Sequence, residues 1–271
     1  MIAVVTPAWY GLLAMLERRH PHDPEWNPPS SEVATDGAFF PLISIAALGG
    51  QALGAGLVHQ SGSPGRGRAA RLGVGPGVAA SVVAFDLVHY TLHRLGHEWG
   101  PGWTFHSVHH SPTRLHIFNA TRFHPAETAL EGLLEGIALG LAGFSPAQHI
   151  SHSVARATYG QLQHCNIDLD SGPLDFVFAT PDLHRWHHSE IYAEGDTNYG
   201  AITSVWDQLF GTLFRPRREL DSPLGVGRMP DFPQRFGDLL RVPLEWPAIR
   251  SANADTWFAP EDPNPDLHAR L

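Results

Sequence analysis

The sequence holds one cysteine, Cys165, and no lysine, and each scarcity closes off a class of chemistry. A single thiol excludes an intramolecular disulfide and any cysteine-rich zinc or iron–sulfur site, so a metal bound here must rest on histidine and carboxylate. All 18 basic residues are arginine against 27 acids, the formal net charge is −9, and charged residues make up only 17% of the chain. That balance argues against a nucleic-acid partner. The glycine-rich stretch 65–77 has no GxGxxG that follows a strand and opens a helix, so a flavin or nicotinamide fingerprint is missing too. No long linker divides the 271 residues, which read as one domain with irregular ends.

Histidine is plentiful, 18 residues in all, and its arrangement is not random. His106-Ser107-Val108-His109-His110 and His184-Arg185-Trp186-His187-His188 are two copies of HxxHH, each followed by serine. At this frequency one copy would arise by chance in roughly one chain in ten, and two in a few per thousand. On a helix, positions i, i+3 and i+4 share a face, so each copy aims three imidazoles at one point, and His93 with His97 adds two more. Imidazole suits zinc, copper, iron or nickel, and eight convergent rings exceed the three or four that one ion takes, which points to two metals. His20, His22, His59, His116 and His268 have no partner at ligand spacing and read as surface or hydrogen-bonded residues. His149 and His152 read as structural.

Three segments are apolar enough to be membrane candidates. Ala38–Val58 is the best, at 21 residues within a stretch free of charge from Gly37 to Gly65. Leu72–Leu92 is the second, uncharged up to Asp86, and the loop Gln60–Arg71 is expected to join the two as a hairpin. Ile2–Leu16, without a basic leader or cleavage site, reads as an uncleaved anchor or membrane-dipping helix. Residues 18–36 are proline-rich and read as a loop. Residues 111–125 read as an ordered polar loop, and 126–163 as two helices broken at Ser145-Pro146, a hairpin of roughly 25 Å arms that enters the bilayer and returns. Glu127, Glu131 and Glu135 recur at i, i+4, i+8 and are read as a polar face rather than as metal ligands. Phe236, Leu239, Leu240 and Val242 suit a short interfacial helix or core packing equally well.

In order along the chain, Asp86 on an apolar helix, His93-Arg94-Leu95-Gly96-His97, Trp103-Thr104-Phe105-His106, His124-Pro125-Ala126-Glu127, His164-Cys165-Asn166, the box at 184–188, Asn198-Tyr199-Gly200 and Trp206–Thr212 resemble the fatty acid hydroxylase/sterol desaturase superfamily of membrane non-haem di-iron oxygenases. The resemblance covers about 130 residues, Phe85 to Thr212. It implies an all-α, membrane-embedded bundle of about three to four membrane or re-entrant helices under a histidine-rich di-metal cap. It also implies N-terminal membrane helices over 1–80, a catalytic domain over 81–215 and an irregular or interfacial tail over 216–271. By the same resemblance the catalytic iron ligands are His93, His97, His106, His109, His110, His164, His184, His187 and His188. Asp86, His89, His124 and Asn166 are the expected partners of those ligands, since a ligating imidazole needs an acceptor for its other nitrogen.

The expected chemistry is an O2-using hydroxylation or desaturation of a lipid C–H bond at two irons, with electrons from an external ferredoxin, cytochrome b5-like protein or reductase. The alternatives are a di-zinc hydrolase and a non-enzymatic membrane haem or metal-binding protein. Arg66, Arg68 and Arg71 would put their loop in the cytoplasm and the boxes outside. Arg18, Arg19, Arg94, Arg114 and Arg122 lie on the opposite side, and reductant is cytoplasmic, so the boxes are expected to face the cytoplasm.

Overall fold

The computed structural model describes residues 2–62, 67–216, 220–227 and 229–257, and among these every regular element is helical, with two isolated β-bridges, Phe178 with Thr203 and Ser189 with Leu224. The helices that place the site are α1 (Ile2–Arg19), α2 (Ser30–Gln60), α3 (Val74–Glu98), α4 (Gly100–His110), α5 (Pro125–Ala142), α6 (Pro146–Gln163) and α7 (Pro181–His187). Five more follow: α8 (Tyr192–Gly195), α9 (Val205–Phe210), α10 (Phe236–Leu239), α11 (Val242–Ala252) and α12 (Ala254–Trp257).

Helix α2 runs 31 residues, about 46 Å at 1.5 Å per residue, against a hydrocarbon thickness of about 30 Å. Among the described residues it is the one helix long and apolar enough to cross a membrane, and Ala38–Val58 lies inside it. Its outer face leaves Ile45 72% and Leu48 62% exposed, an apolar surface suited to lipid rather than water. The second candidate span falls largely in α3, which buries Asp86, His93 and His97 and does not meet the same standard. The third becomes α1, whose Leu13 packs on Ile117, Cys165 and Ile167, the last two close in sequence to His164.

Helix α2 packs along α5, not along α3 as the hairpin reading expected. The reason is glycine. A Cβ on Gly50 would sit 2.2 Å from the Ala129 carbonyl oxygen and one on Gly136 2.2 Å from that of Gln51, with Gly54 and Gly132 equally crowded against the opposite backbone. Two small-xxx-small pairs thus face each other, and close backbone approach supplies the dispersion that apolar surroundings do not. The expected break between α5 and α6 is present: Gly143 takes a left-handed φ of 76°, and Ser145 with Gln148 forms a capping box over Pro146. Rather than lying along each other, both helices pack on α3.

The C-terminal segment belongs to the core. Leu239 and Val242 are fully buried with Phe39, Trp103, Val108 and Trp246, so core packing is the reading that holds for residues 236–242. This cluster fixes α4 against the end of α2. The loop 111–125 is anchored by Asp36 of α2, buried to 0% exposure: Arg122 Nε donates to its Oδ1 at 2.5 Å, Asn119 Nδ2 to its Oδ2 at 2.9 Å, and Thr121 Oγ1 to its carbonyl at 2.8 Å. Arg122 Nη1 also donates to Ser111 Oγ and Gln234 Oε1, so the guanidinium ties three segments together.

Candidate metal centre

Four elements carry the nine histidines. Helix α3 presents His93 and His97 one turn apart, α4 presents His106, His109 and His110, the end of α6 presents His164, and α7 with its C-cap presents His184, His187 and His188. Thr180 caps α7 by accepting from the Leu183 N–H, and its own hydroxyl donates to Asp175 at 2.6 Å. All nine rings are at least 94% buried. They form two groups whose ligand nitrogens lie within 4.8 Å of one another: His93, His97, His106, His110 and His187, and beside them His109, His164, His184 and His188. The groups touch where His110 stacks on His188, ring centres 4.5 Å apart.

Hydrogen bonds on the outer nitrogen decide which way each ring presents its lone pair. His93 Nδ1 reaches the Tyr199 carbonyl at 2.9 Å, His109 Nδ1 that of Arg122 at 3.2 Å, His164 Nδ1 that of Gly160 at 2.8 Å and His187 Nδ1 that of Thr197 at 2.7 Å. A carbonyl only accepts, so each Nδ1 carries the proton and donates it, and each Nε2 is a bare lone pair pointing inward. His97 Nδ1 and His106 Nδ1 meet carboxylates instead, Asp196 at 2.9 Å and Glu127 at 2.6 Å.

Inside the groups the inner nitrogens converge, and where both outer protons are fixed two lone pairs face each other with no proton between them. Nε2 of His109 and His164 are 3.2 Å apart, and both rings have spent their proton on the far side. His97 to His110, His110 to His187, His164 to His184 and His184 to His188 are each 3.1 Å between Nε2 atoms. Buried Nε2 of His93 and His106 have no partner at all. Donors held about 2.1 Å from one ion at angles of 90–109° stand about 3.0–3.4 Å apart, so the spacing fits metal coordination in both groups. Protonation is not an alternative way to join the lone pairs. Burial and neighbouring rings hold His109, His110, His184 and His188 well below the usual imidazole range, His164 falls to about 4 and His187 to about 3.

The other residues singled out from sequence are placed differently. His89 lies 5.0 Å from the His93 ring and pairs with Glu131, whose second oxygen binds Arg156 at 2.5 Å. Asp86 bonds Thr203 rather than a box histidine: its Oδ2 accepts from the Thr203 N–H at 2.6 Å, supporting the turn that carries the Tyr199 carbonyl. His124 caps α5, accepting from the Ala126 N–H, and its Nε2 reaches the Leu240 carbonyl. Asn166 clasps the backbone of Asp23. The bonds of the last three therefore go to backbone groups and not to the nine rings. Asn and His side chains satisfy nearby backbone groups as readily as ring nitrogens. His116 is hydrogen-bonded as expected but buried, between Asn119 and Glu32. His268 lies outside the described residues.

The glutamate row of α5 is neither a solvated face nor a set of ligands pointing inward. Glu127 holds His106, Glu131 holds His89 and Arg156, and Glu135 sits 3.1 Å from His152. Sequence reasoning missed Glu127 and Asp196 as acceptors, although Glu127 three residues after His124 was a visible signal. A cavity of about 400 Å³ opens between α3, α4 and α5, walled by Leu92, Leu95, Trp99, Phe105, Phe123 and Leu130, and ends on His93 and His106. Gly96 makes this end possible, since a Cβ there would stand 3.2 Å from His106 Cγ.

Residues 78–212 match the family model described as fatty acid hydroxylase, and the match spans all nine histidines. The chain belongs to the fatty acid hydroxylase family. Among curated relatives, an ornithine lipid hydroxylase of Rhizobium tropici is 42% identical over 149 residues, 55% of this chain and 45% of the relative. An alkylglycerol monooxygenase of Caenorhabditis elegans is 31% identical over 51% of this chain and 27% of its own length. Methylsterol monooxygenase 1 of Danio rerio is 31% identical over 47% and 43%. The chain spans less than half the length of each of these relatives. No solved structure matches it.

Proposed function

We propose that the chain is a di-iron monooxygenase that hydroxylates a C–H bond in the hydrocarbon part of a lipid. The observation that carries this reading is the pair of bare lone pairs on His109 and His164, 3.2 Å apart with both protons committed elsewhere, which needs a cation between them. His93, His97, His106, His110 and His187 would hold one iron and His109, His164, His184 and His188 the other. All-nitrogen sites with open positions suit iron, and the family's curated relatives are oxygen-inserting enzymes by name. The overall reaction is R–H + O2 + 2 e⁻ + 2 H⁺ → R–OH + H2O, and the irons, when bound, supply the activation of O2.

The chain's own residues do the rest. The apolar cavity binds a hydrocarbon segment and excludes water, bringing one carbon to the His93–His106 end. Its walls are almost wholly apolar, and apart from Trp99 the polar side chains gather where His89, His93, His106, Glu127 and Glu131 close it, so the reacting stretch is alkyl. Glu127, Asp196 and the carbonyls of Tyr199, Arg122, Gly160 and Thr197 fix ring orientation and keep the protons on Nδ1. Glu127 gives one oxygen to His106 and keeps the other unpaired at the cavity wall, so the identity of the metal, iron against zinc, is what separates an oxygenase from a hydrolase. Helix α2 anchors the enzyme in the membrane with the boxes on the cytoplasmic side, and a ferredoxin, cytochrome b5-like protein or reductase delivers the electrons.

Metal analysis of the purified protein, together with lipid mass spectrometry under ¹⁸O2, tests this. Two irons per chain and a lipid product carrying one ¹⁸O are expected. Stoichiometric zinc, or a product lacking the label, overturns the proposal.

A further inference from the structure

Tyr199 and Tyr90 form an aromatic link from the five-histidine group to the surface. The Tyr199 ring centre lies 5.3 Å from His97, 5.5 Å from His93 and 5.8 Å from His187, and 5.8 Å on its other side stands Tyr90. Tyr90 stacks on Phe210 at 5.2 Å, and Phe210 is 49% exposed and itself stacked on Trp206. The two phenols differ in what they can do with a proton. The Tyr199 hydroxyl is buried with no partner, so it has nowhere to release a proton. Tyr90 is wired. Thr212 Oγ1 spends its only proton on Asp207 Oδ1 at 2.8 Å, so at 3.0 Å from Tyr90 it must accept, and the Tyr90 O–H donates to it. Arg94 Nη1 donates to the Tyr90 oxygen from the other side at 3.2 Å. Burial raises the Asp207 carboxyl, which makes it a readier proton acceptor at the end of the relay.

We propose that Tyr90 is a built-in electron donor that discharges the centre when no substrate C–H bond is within reach. The inference rests on the oxygenase reading above. O2 and two electrons from the external reductant leave the centre oxidising, and in an empty cavity that oxidation falls on the protein. One electron passes from Tyr90 across the Tyr199 ring to the centre. The Tyr90 phenolic proton moves to Thr212 Oγ1 as the Thr212 proton moves to Asp207 Oδ1, leaving a neutral tyrosyl radical and a protonated carboxyl. An electron from the reductant, entering through Phe210, restores the phenol as the relay protons step back, and a second identical turn supplies the other oxidising equivalent, so the sum per O2 is O2 + 4 e⁻ + 4 H⁺ → 2 H2O with every electron drawn from the reductant and the protons from solvent. The ligand rings are thereby spared.

The test is electron paramagnetic resonance of iron-loaded protein frozen while it consumes O2 with reductant and without lipid. The wild type should show a tyrosyl signal that narrows when the protein is made with ring-deuterated tyrosine. Tyr90→Phe should lower it at least tenfold, and so should Thr212→Val, which keeps the Tyr90 ring but breaks the relay. Tyr199→Phe should retain it. Peptide mapping after the same incubation should find several-fold more oxidation of box histidines in Tyr90→Phe than in wild type. O2 uptake by iron-loaded wild type with no tyrosyl signal, or a signal that survives in Tyr90→Phe, overturns the inference and leaves the oxygenase reading intact. Protein that binds iron yet takes up no O2 overturns that reading, and the inference with it.

Discussion

Where α2 meets α5, four glycines let backbone touch backbone; where α3, α4, α6 and α7 meet, nine imidazoles fill the gap between helices. The first contact is made by leaving side chains out, and the backbone groups that meet there are satisfied within each helix. The second is made of polar side chains, each answered on its outer nitrogen by a carbonyl or carboxylate where one is in reach, and left open on the inner one. His184 and His188 lack even the outer partner. One contact is thus complete in the apo chain, and the other is a frame of lone pairs whose completion needs cations. The difference predicts that metal, acid and side-chain volume act on the two regions separately.

The sharpest break is expected from His187→Ala, which removes a donor shared with His110 and His97. Iron content should fall by at least half and lipid hydroxylation below about 1% of wild type, while circular dichroism keeps its helical signal. Unchanged iron and turnover would remove His187 from the ligand set.

Acid should come next. In the apo protein His164 and His187 titrate near 4 and 3 when folded and near 6.5 when unfolded, so the unfolded chain takes up protons first. Their stabilising contribution is fully present above pH 6.5 and is lost as pH falls toward the folded values. At pH 4.5 each should cost about 2–3 kcal/mol. Hydrogen exchange should therefore show α7 opening while α2 and α5 stay protected, and equal loss in both regions would count against the comparison.

Volume should do the reverse. Gly136→Ala places a methyl against a backbone oxygen, which cannot swing aside, and should cost about 3 kcal/mol or more in detergent unfolding. Gly56→Ala, which meets nothing within 4 Å, should change stability by less than about 0.5 kcal/mol. Similar effects at both positions would show that the contact is not what the glycines serve. Glu127→Gln, tested by iron titration, should weaken iron binding about 10- to 100-fold with the fold intact, because the amide orients His106 without its charge. The smallest effect concerns Cys165, fully buried and with its thiol pKa raised by burial. It should resist alkylation in native protein and react only on unfolding.

Much of the metal frame was legible because helical spacing acts on side chains with distinctive chemistry: HxxHH twice and His93 with His97 name their own face. Its outer partners are legible only where they are side chains, and even Glu127 reads as part of a polar row. Tyr199, Arg122, Gly160 and Thr197 contribute carbonyls, which every residue possesses, so no residue type marks them. Asp86, His124 and Asn166 carried the right chemistry but face backbone groups instead. In the fold, α2 was readable from its lack of charge. Its pairing with α5 was not read, although Gly50-Gly54 and Gly132-Gly136 carry the four-residue interval that such contacts use. Chain proximity favoured α3, and glycine spacing outweighed it.

The donors of both histidine groups begin upstream and end within one residue of each other, at His187 and His188. During synthesis, then, neither pocket is finished until the third box has left the ribosome and folded. Any loading is consequently a late event in the life of the polypeptide, and both pockets become competent at the same stage rather than one after the other along the growing chain.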